Sequence, residues 1–272
     1  MSGECMFERV SVVGTGLVGC SVAALVKGRS VAREVVGVDI DNANLDAAKR
    51  LGFVDRTFSN HSKGIMGAGA IILAVPLDEV FKVMDAIGKD VRPGALITCA
   101  AGTTSRMRKQ LVRHVRSAEN FVPAYPMIHQ KGSGPGSASP GVLDGNLCLL
   151  MEKDPIPEKT FEQAKLFWER IGMQTRSMDP ESFEALIAGS ELWPQVIAMA
   201  AGRVVTRSNW PDVDSVLSHW LAAVAAPKAI GREHQLYASR ICALCDEFAE
   251  EMEEMKRRLG CSLSSSIPEE EG

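Results

Sequence analysis

The sequence predicts an α/β fold, a parallel sheet domain followed by an all-helical region, and three observations carry that reading. Apolar runs of strand length alternate with helical stretches up to residue 178. A glycine-rich turn joins the first strand to the first helix, and from Asp179 onward every periodic stretch has helical spacing. The bulk numbers agree: 272 residues, 46% apolar and 24% charged, suffice for a sizeable core. A formal charge of −4 without any Lys/Arg cluster argues against a nucleic-acid or anionic-membrane surface, so a small molecule is the expected partner. No apolar run reaches the ~18 residues of a membrane span, and residues 1–9 lack the apolar core of a signal peptide. A cytoplasmic protein is expected, with its seven cysteines reduced and mostly structural.

Residues 9–13 form a β-branched run that meets glycines at once, and a helix is expected from Gly16 through Val26. Residues 34–38 are a second strand ending on Asp39, after which Asn42 is placed to cap a helix carrying Leu45, Ala48 and Leu51. Residues 70–75, closed by Pro76, and residues 95–98 are the third and fourth strands. Each is apolar on both faces, as buried parallel strands are. The segment KGSGPGSASPG, residues 131–141, reads as a loop bordering the active cleft. Strands at 146–151 and 173–177 then flank a helix at 158–171.

Asp179 followed by Pro180 is a strong helix start, since Asp caps free amides and Pro already has helical φ. Pro194 should kink that helix near Trp193. A last helix is expected over 228–259, terminated by Gly260. Along it Ile241, Cys245, Phe248, Met252, Met255 and Leu259 recur at spacings of four and three. This seam either packs on its own domain or pairs two chains in a homodimer. Cys242 and Cys245 form a C-x-x-C, but without a second pair they read as core packing rather than a metal site. The domain plan is therefore a nucleotide-binding unit over 1–178, a helical dimerisation or substrate unit over 179–261, and a polar acidic tail, expected to be disordered, over 262–272.

Gly14, Thr15, Gly16, Leu17, Val18 and Gly19 form a GxGxxG between a strand and a helix, the context in which that motif binds a dinucleotide. Gly14 permits the tight turn, Gly16 lets the backbone approach a pyrophosphate, and Gly19 lets the helix pack on the strand. The helix amides then face the anion. Asp39, twenty residues beyond Gly19, ends the second strand where a carboxylate accepts from ribose hydroxyls and repels a 2′-phosphate. No Lys or Arg follows directly, so NAD is favoured over NADP. The alternative is a glycine turn with no nucleotide.

The stretches GVDIDNANLDAAKRLGFVD at 37–55 and ILAVPLDEV at 72–80 resemble the prephenate and arogenate dehydrogenases of tyrosine biosynthesis. FVPAYPMIHQKGSGP at 121–135 resembles that family's FVGGHPMAGSEKSGP, and LDGN and MDPESFEALIAGSELWPQ further on resemble its LFEG and MDPEEHD…SHLPQ segments. The likeness covers nearly the whole chain and is strongest in the first 150 residues. It implies a Rossmann-type NAD domain with a helical domain behind it, and puts Ala74, Val75 and Pro76 against the cofactor. It also implies an oxidative decarboxylation, in which a ring hydride passes to nicotinamide while a His acts as general base.

The residue matching that His is Tyr125. The family's Asp-x-x-Ser-x-Lys segment falls on Cys99, Gly102 and Thr104, its two further His positions fall on Phe183 and Leu192, and its carboxylate-binding Arg segment falls near 217–223, where there is no Arg. A tyrosine is better suited to donate a proton or hydrogen bond, for instance as general acid toward a carbonyl oxygen, with Lys131 the nearest cation in sequence. Its other reading is an aromatic wall. His129 either recovers the missing base or is simply an exposed loop residue; His219 and His234 either reach the cleft from the helical region or, as is expected, lie on helix surfaces. Trp193, Trp210 and Trp220 line a substrate cavity or fill the helical core.

The expected protein is an NAD-dependent oxidoreductase with an altered pocket, prephenate or a related small acid being the best family-based substrate. Its candidate catalytic residues are Tyr125 and His129. Two alternatives stand beside it: a non-catalytic NAD-binding homologue, and a dehydrogenase for another substrate with Tyr125 as acid.

Overall fold

The computed structural model describes residues 5–101, 103–114, 119–128, 132–152, 156–207 and 232–258. His129, Lys131, Gly102, Trp210, His219, Trp220, the segment 217–223 and the tail 262–272 lie outside these residues. Contacts divide the chain into two compact units, Met1–Glu184 and Ala185–Gly272.

The first unit contains β1 (Phe7–Val13), α1 (Leu17–Gly28), β2 (Ala32–Val38), α2 (Asn42–Arg50), β3 (Arg56–Phe58), α3 (His61–Ile65), β4 (Ala70–Leu73), α4 (Leu77–Ile87), β5 (Leu96–Cys99) and α5 (Ser105–His114). It continues through β6 (Phe121–Val122), β7 (Ala124–Pro126), β8 (Leu147–Met151), α6 (Glu158–Arg170) and β9 (Gln174–Met178), and α7 (Pro180–Ile187) crosses its boundary. The first six strands form a parallel sheet in the order β3-β2-β1-β4-β5-β6. The chain leaves β1 toward β2 on one side and returns to β4 on the other, and this reversal opens a crevice at the carboxyl edge.

The apolar runs explain the sheet. Val10, Val12, Val13 and all of β4 and β5 are buried, as strands covered on both faces require. The polar exceptions are satisfied: Ser11 Oγ donates to the Gly64 carbonyl at 2.8 Å, and Trp168 Nε1 donates to Thr98 Oγ1 at 3.2 Å. α1 and α6 pack apolar faces on the core through residues such as Leu25, Val26, Phe167 and Trp168.

Three strands form a second sheet whose grouping the sequence pattern does not reveal. β7 runs antiparallel to β8, and β8 parallel to β9. Pro123, between β6 and β7, has no N–H for a ladder and marks the change of sheet. The cap of α2 is also one residue earlier than expected. Asp41, not Asn42, stands at the N-cap and accepts from Ala43 N–H at 2.8 Å. Asp179 caps α7 as its sequence context requires, accepting from the amides of Glu181 and Ser182 and from the Ser182 hydroxyl.

In the second unit a π-helical turn, Ala188–Leu192, precedes α8 (Trp193–Arg207). Pro194 is the physical cause in the sequence: it cannot donate to the carbonyl four residues back, so the turn before it loses an α-helical bond. Helices Arg232–Leu236 and Ala238–Arg258 follow, so the long final helix expected from the pattern is interrupted at Tyr237. Along it Ile241 is buried, but Phe248, Met252 and Met255 are 39%, 37% and 46% exposed. Cys242 and Cys245 are exposed too, which corrects the core-packing reading: Cys245 continues the seam one turn beyond Ile241, where that edge is open. Trp193 meets Phe248 edge to face at 5.7 Å, a contact internal to the helical unit.

His234 departs furthest from its expected place on a helix surface. It is 6% exposed, and neither ring nitrogen has a hydrogen-bond partner among the described residues. Burial holds its pKa below the ordinary value, because the protonated ring would lose its hydration. Below the unfolded value, near 6.5, the unfolded chain therefore takes up a proton that the folded chain refuses. Stability is fully present above that pH and is lost as pH falls toward and through the folded pKa. Urea midpoints measured between about pH 7 and 5 should fall in the wild type and fall less steeply in His234→Leu.

Candidate functional site

Because β1, β4, β5 and β6 are parallel neighbours, the segments leaving their carboxyl ends lie along one edge of the sheet. These are residues 14–19, 74–76, 100–101 and 123–125. The topology thus brings the glycine motif, Ala74 to Pro76, the start of the segment after β5 and Tyr125 to the same edge.

The glycine turn is built by backbone packing. Gly14 has φ +92°, a left-handed conformation that favours glycine, and a Cβ there would overlap the Ala74 carbonyl. A Cβ on Gly19 would overlap the Gly14 carbonyl oxygen, so α1 lies directly on the turn. Gly16 differs: a Cβ there would meet nothing within 4 Å. Of the six motif residues, only Gly16 and Val18 are partly exposed. Gly16 is also the N-cap of α1 and supplies no side chain to the first-turn amides, which leaves those donors for an anion.

Asp39 is held rather than free to rotate. Its Oδ2 accepts from Thr15 N–H at 2.7 Å and from Thr15 Oγ1 at 3.0 Å, and its Oδ1 accepts from Asp41 N–H at 3.0 Å. A carboxylate offers about four acceptor positions, so one, on Oδ1, is left for an incoming hydroxyl. Thr15 is fully buried and fits because Gly37 on β2 has no side chain; a Cβ there would press on Thr15 Cγ2 at 3.0 Å. The charge of Asp39, after the larger effect of burial, helps to push the Cys20 thiol up to about 12. Cys20 therefore stays protonated and donates to the Thr15 carbonyl at 3.2 Å.

Beside Asp39, Ile40 is 79% exposed. This apolar side chain next to the fixed carboxylate escaped the sequence reading, although an isoleucine between Asp39, Asp41 and Asn42 is the available signal. Ala74 and Val75 are half-buried against the Gly14 turn, whereas Pro76 is exposed and serves as the N-cap residue of α4.

Tyr125 lies half-buried on β7, opposite Leu149 of β8. The residues at the matching polar positions are absorbed by structure. Cys99 is buried and its thiol donates to the Ala124 carbonyl at 3.5 Å. Thr104 is buried and accepts from Met107 N–H at 3.2 Å, capping α5. Phe183 and Leu192 are buried apolar side chains in their own units. Loop 132–141 is fastened in part to α1, where Ser139 N–H donates to Ser21 Oγ at 3.2 Å. Among the described residues no His, Cys, Asp and Glu cluster is fit to hold a metal ion, and no helix is long and apolar enough to cross a membrane.

The strand order, glycine turn and uncapped helix, with the carboxylate at the end of β2, define a Rossmann-type nucleotide-binding unit followed by helices. Residues 22–176 match the family model "Prephenate dehydrogenase, nucleotide-binding domain", and the chain belongs to that family. It is 22% identical over 194 residues to the prephenate dehydrogenase of Bacillus subtilis, covering 71% of this chain and 52% of that protein. It is also 22% identical over 198 residues to the cyclohexadienyl dehydrogenase of Zymomonas mobilis, covering 71% and 66%. The chain thus spans about half the length of the first of these relatives. In fold it is similar to the prephenate dehydrogenase of Aquifex aeolicus solved with hydroxyphenyl propionate and NAD+, at TM-score 0.82 and 17% identity over 93% of this chain and 90% of that one. The arogenate dehydrogenase of Synechocystis gives 0.75 at 14% identity over 93% and 92%.

Two glycine substitutions separate packing from ligand space. Gly19→Ala should overpack the turn, cost about 1–3 kcal/mol and lower Tm. Gly16→Ala should cost less than about 1 kcal/mol while weakening nucleotide binding in titration calorimetry, because its methyl enters the open space.

Proposed function

We propose that this chain is an NAD-dependent oxidoreductase of the prephenate and arogenate dehydrogenase type with an altered substrate pocket. The observation that carries the reading is the cofactor cradle: open space over Gly16, an uncapped α1, and Asp39 fixed by Thr15 with one acceptor position left. In this reading the pyrophosphate lies over Thr15, Gly16, Leu17 and Val18, with Gly14 and Gly19 shaping the turn. Asp39 accepts from the adenosine ribose, Ile40 offers an apolar face to the adenine, and Ala74, Val75 and Pro76 border the nicotinamide half. The negative charge of Asp39 disfavours NADP.

Bound there, the nicotinamide accepts or supplies a hydride. Tyr125 is the residue for the accompanying proton. In reduction its phenol gives a proton to the carbonyl oxygen as the carbonyl carbon gains the hydride; in oxidation the phenolate takes the hydroxyl proton back. His129 is the second candidate for proton transfer. A non-catalytic NAD-binding role draws on a different observation: Cys99, Thr104, Phe183 and Leu192 are committed to packing or capping. We also propose the exposed Phe248, Met252 and Met255 edge as the face of a homodimer, and a cytoplasmic location.

NADH should bind in titration calorimetry at least about tenfold more tightly than NADPH, with Ile40→Ser weakening NADH while leaving Tm unchanged. Absence of NAD(H) binding at millimolar concentration would sink the proposal. With prephenate or arogenate, turnover should lie about 10² to 10⁴ below the roughly 10 per second of an efficient enzyme. On any substrate that is turned over, Tyr125→Phe should abolish the proton step; a non-catalytic protein shows no turnover with or without it.

A further inference from the structure

The antiparallel register decides which backbone groups of β7 face β8. Tyr125 stands opposite Leu149, and the flanking bonds are Met127 N–H to the Leu147 carbonyl at 2.8 Å and Met151 N–H to the Pro123 carbonyl at 3.1 Å. Positions 123, 125 and 127 therefore turn their backbone groups to β8, and the Ala124 carbonyl turns away from it. Ala124 is fully buried, so that carbonyl needs a protein donor. It finds one in Cys99 at the end of β5, whose Sγ lies 3.5 Å away. This thiol ties the end of the large sheet to the strand that carries Tyr125.

A second thiol stands at the other end of the same peptide unit. Cys148 of β8 lies opposite Pro126 and is fully buried; its thiol donates to the Leu149 carbonyl at 4.0 Å, and the Tyr125 N–H, which the register turns toward Leu149, lies near its sulfur. Burial pushes the Cys148 thiol well up, and nearby Cys99 acts in the same direction, outweighing the Tyr125 N–H that favours the thiolate. Cys148 thus stays neutral at physiological pH. The peptide between Ala124 and Tyr125 has a thiol on its carbonyl and, at its N–H, the Leu149 carbonyl that the Cys148 thiol also meets.

We propose that Cys99 and Cys148 are positioning residues that hold the Ala124–Tyr125 peptide and so set the aim of the Tyr125 phenol. The proposal rests on the reading of Tyr125 as the proton-transfer residue, but its geometry is testable without a substrate. A tilt of that peptide plane displaces the Tyr125 Cα–Cβ bond directly, and a displacement of about 1 Å can cost up to 10² in rate.

The chain has two tyrosines, Tyr125 and Tyr237. Protein labelled with 3-fluorotyrosine therefore gives two fluorine resonances, assigned by Tyr237→Phe. Cys99→Ala should shift or broaden the Tyr125 resonance and move its pH titration midpoint, Cys99→Ser should restore both toward wild type through its hydroxyl donor, and Tyr237 should not move. Cys148→Ala gives a second reading should Cys99→Ala fail to fold. If the Tyr125 resonance and midpoint are unchanged in Cys99→Ala and in Cys148→Ala, the positioning role is wrong. Turnover is read separately, with kcat falling up to about 10²-fold in Cys99→Ala and KM little changed. If Tyr125→Phe keeps the rate of the wild type, the acid reading fails while the fluorine result stands.

Discussion

Backbone lies on backbone where β1 turns into α1. Gly19 rests on the Gly14 carbonyl and Gly14 rests on Ala74, with no Cβ between any of them. This approach lets α1 start at the sheet edge, brings the end of β4 against the turn, and leaves Gly16 as the one motif glycine facing open space. Interiors packed at this density do not yield to an added methyl group. The site that depends on the turn is consequently as rigid as the sheet beneath it.

Asp39 is positioned by the same turn. Thr15, buried against Gly37, presents both its amide and its hydroxyl to one carboxylate oxygen. Two strands thereby fix one side chain, and the acceptor position left on the other oxygen has a defined direction. The carboxylate is ready before any ligand arrives, which lowers the ordering that binding must accomplish.

The end of β5 is organised differently. There the chain has a thiol bonded to a strand carbonyl and a threonine capping a helix. The residue types were legible in the sequence. Their partners were not, because a cysteine in a sequence does not reveal which carbonyl it meets. The same limit applies to His234: helical spacing placed it on a surface, but burial depends on what other elements cover it.

From its own residues the sequence determined the alternation of strands and helices, the glycine turn, the carboxylate at the end of β2 and the capping Asp179. All of these follow from local periodicity, backbone freedom and capping chemistry, which act over a few residues. Tertiary structure alone decided that β7, β8 and β9 form a second sheet, that Ile40 stands exposed beside Asp39, and that Cys99 and Cys148 meet one peptide. The first and last of these join residues from separate strands, and strand pairing is set by burial across the whole unit rather than by neighbours in the chain; the exposure of Ile40 depends on what other elements leave uncovered.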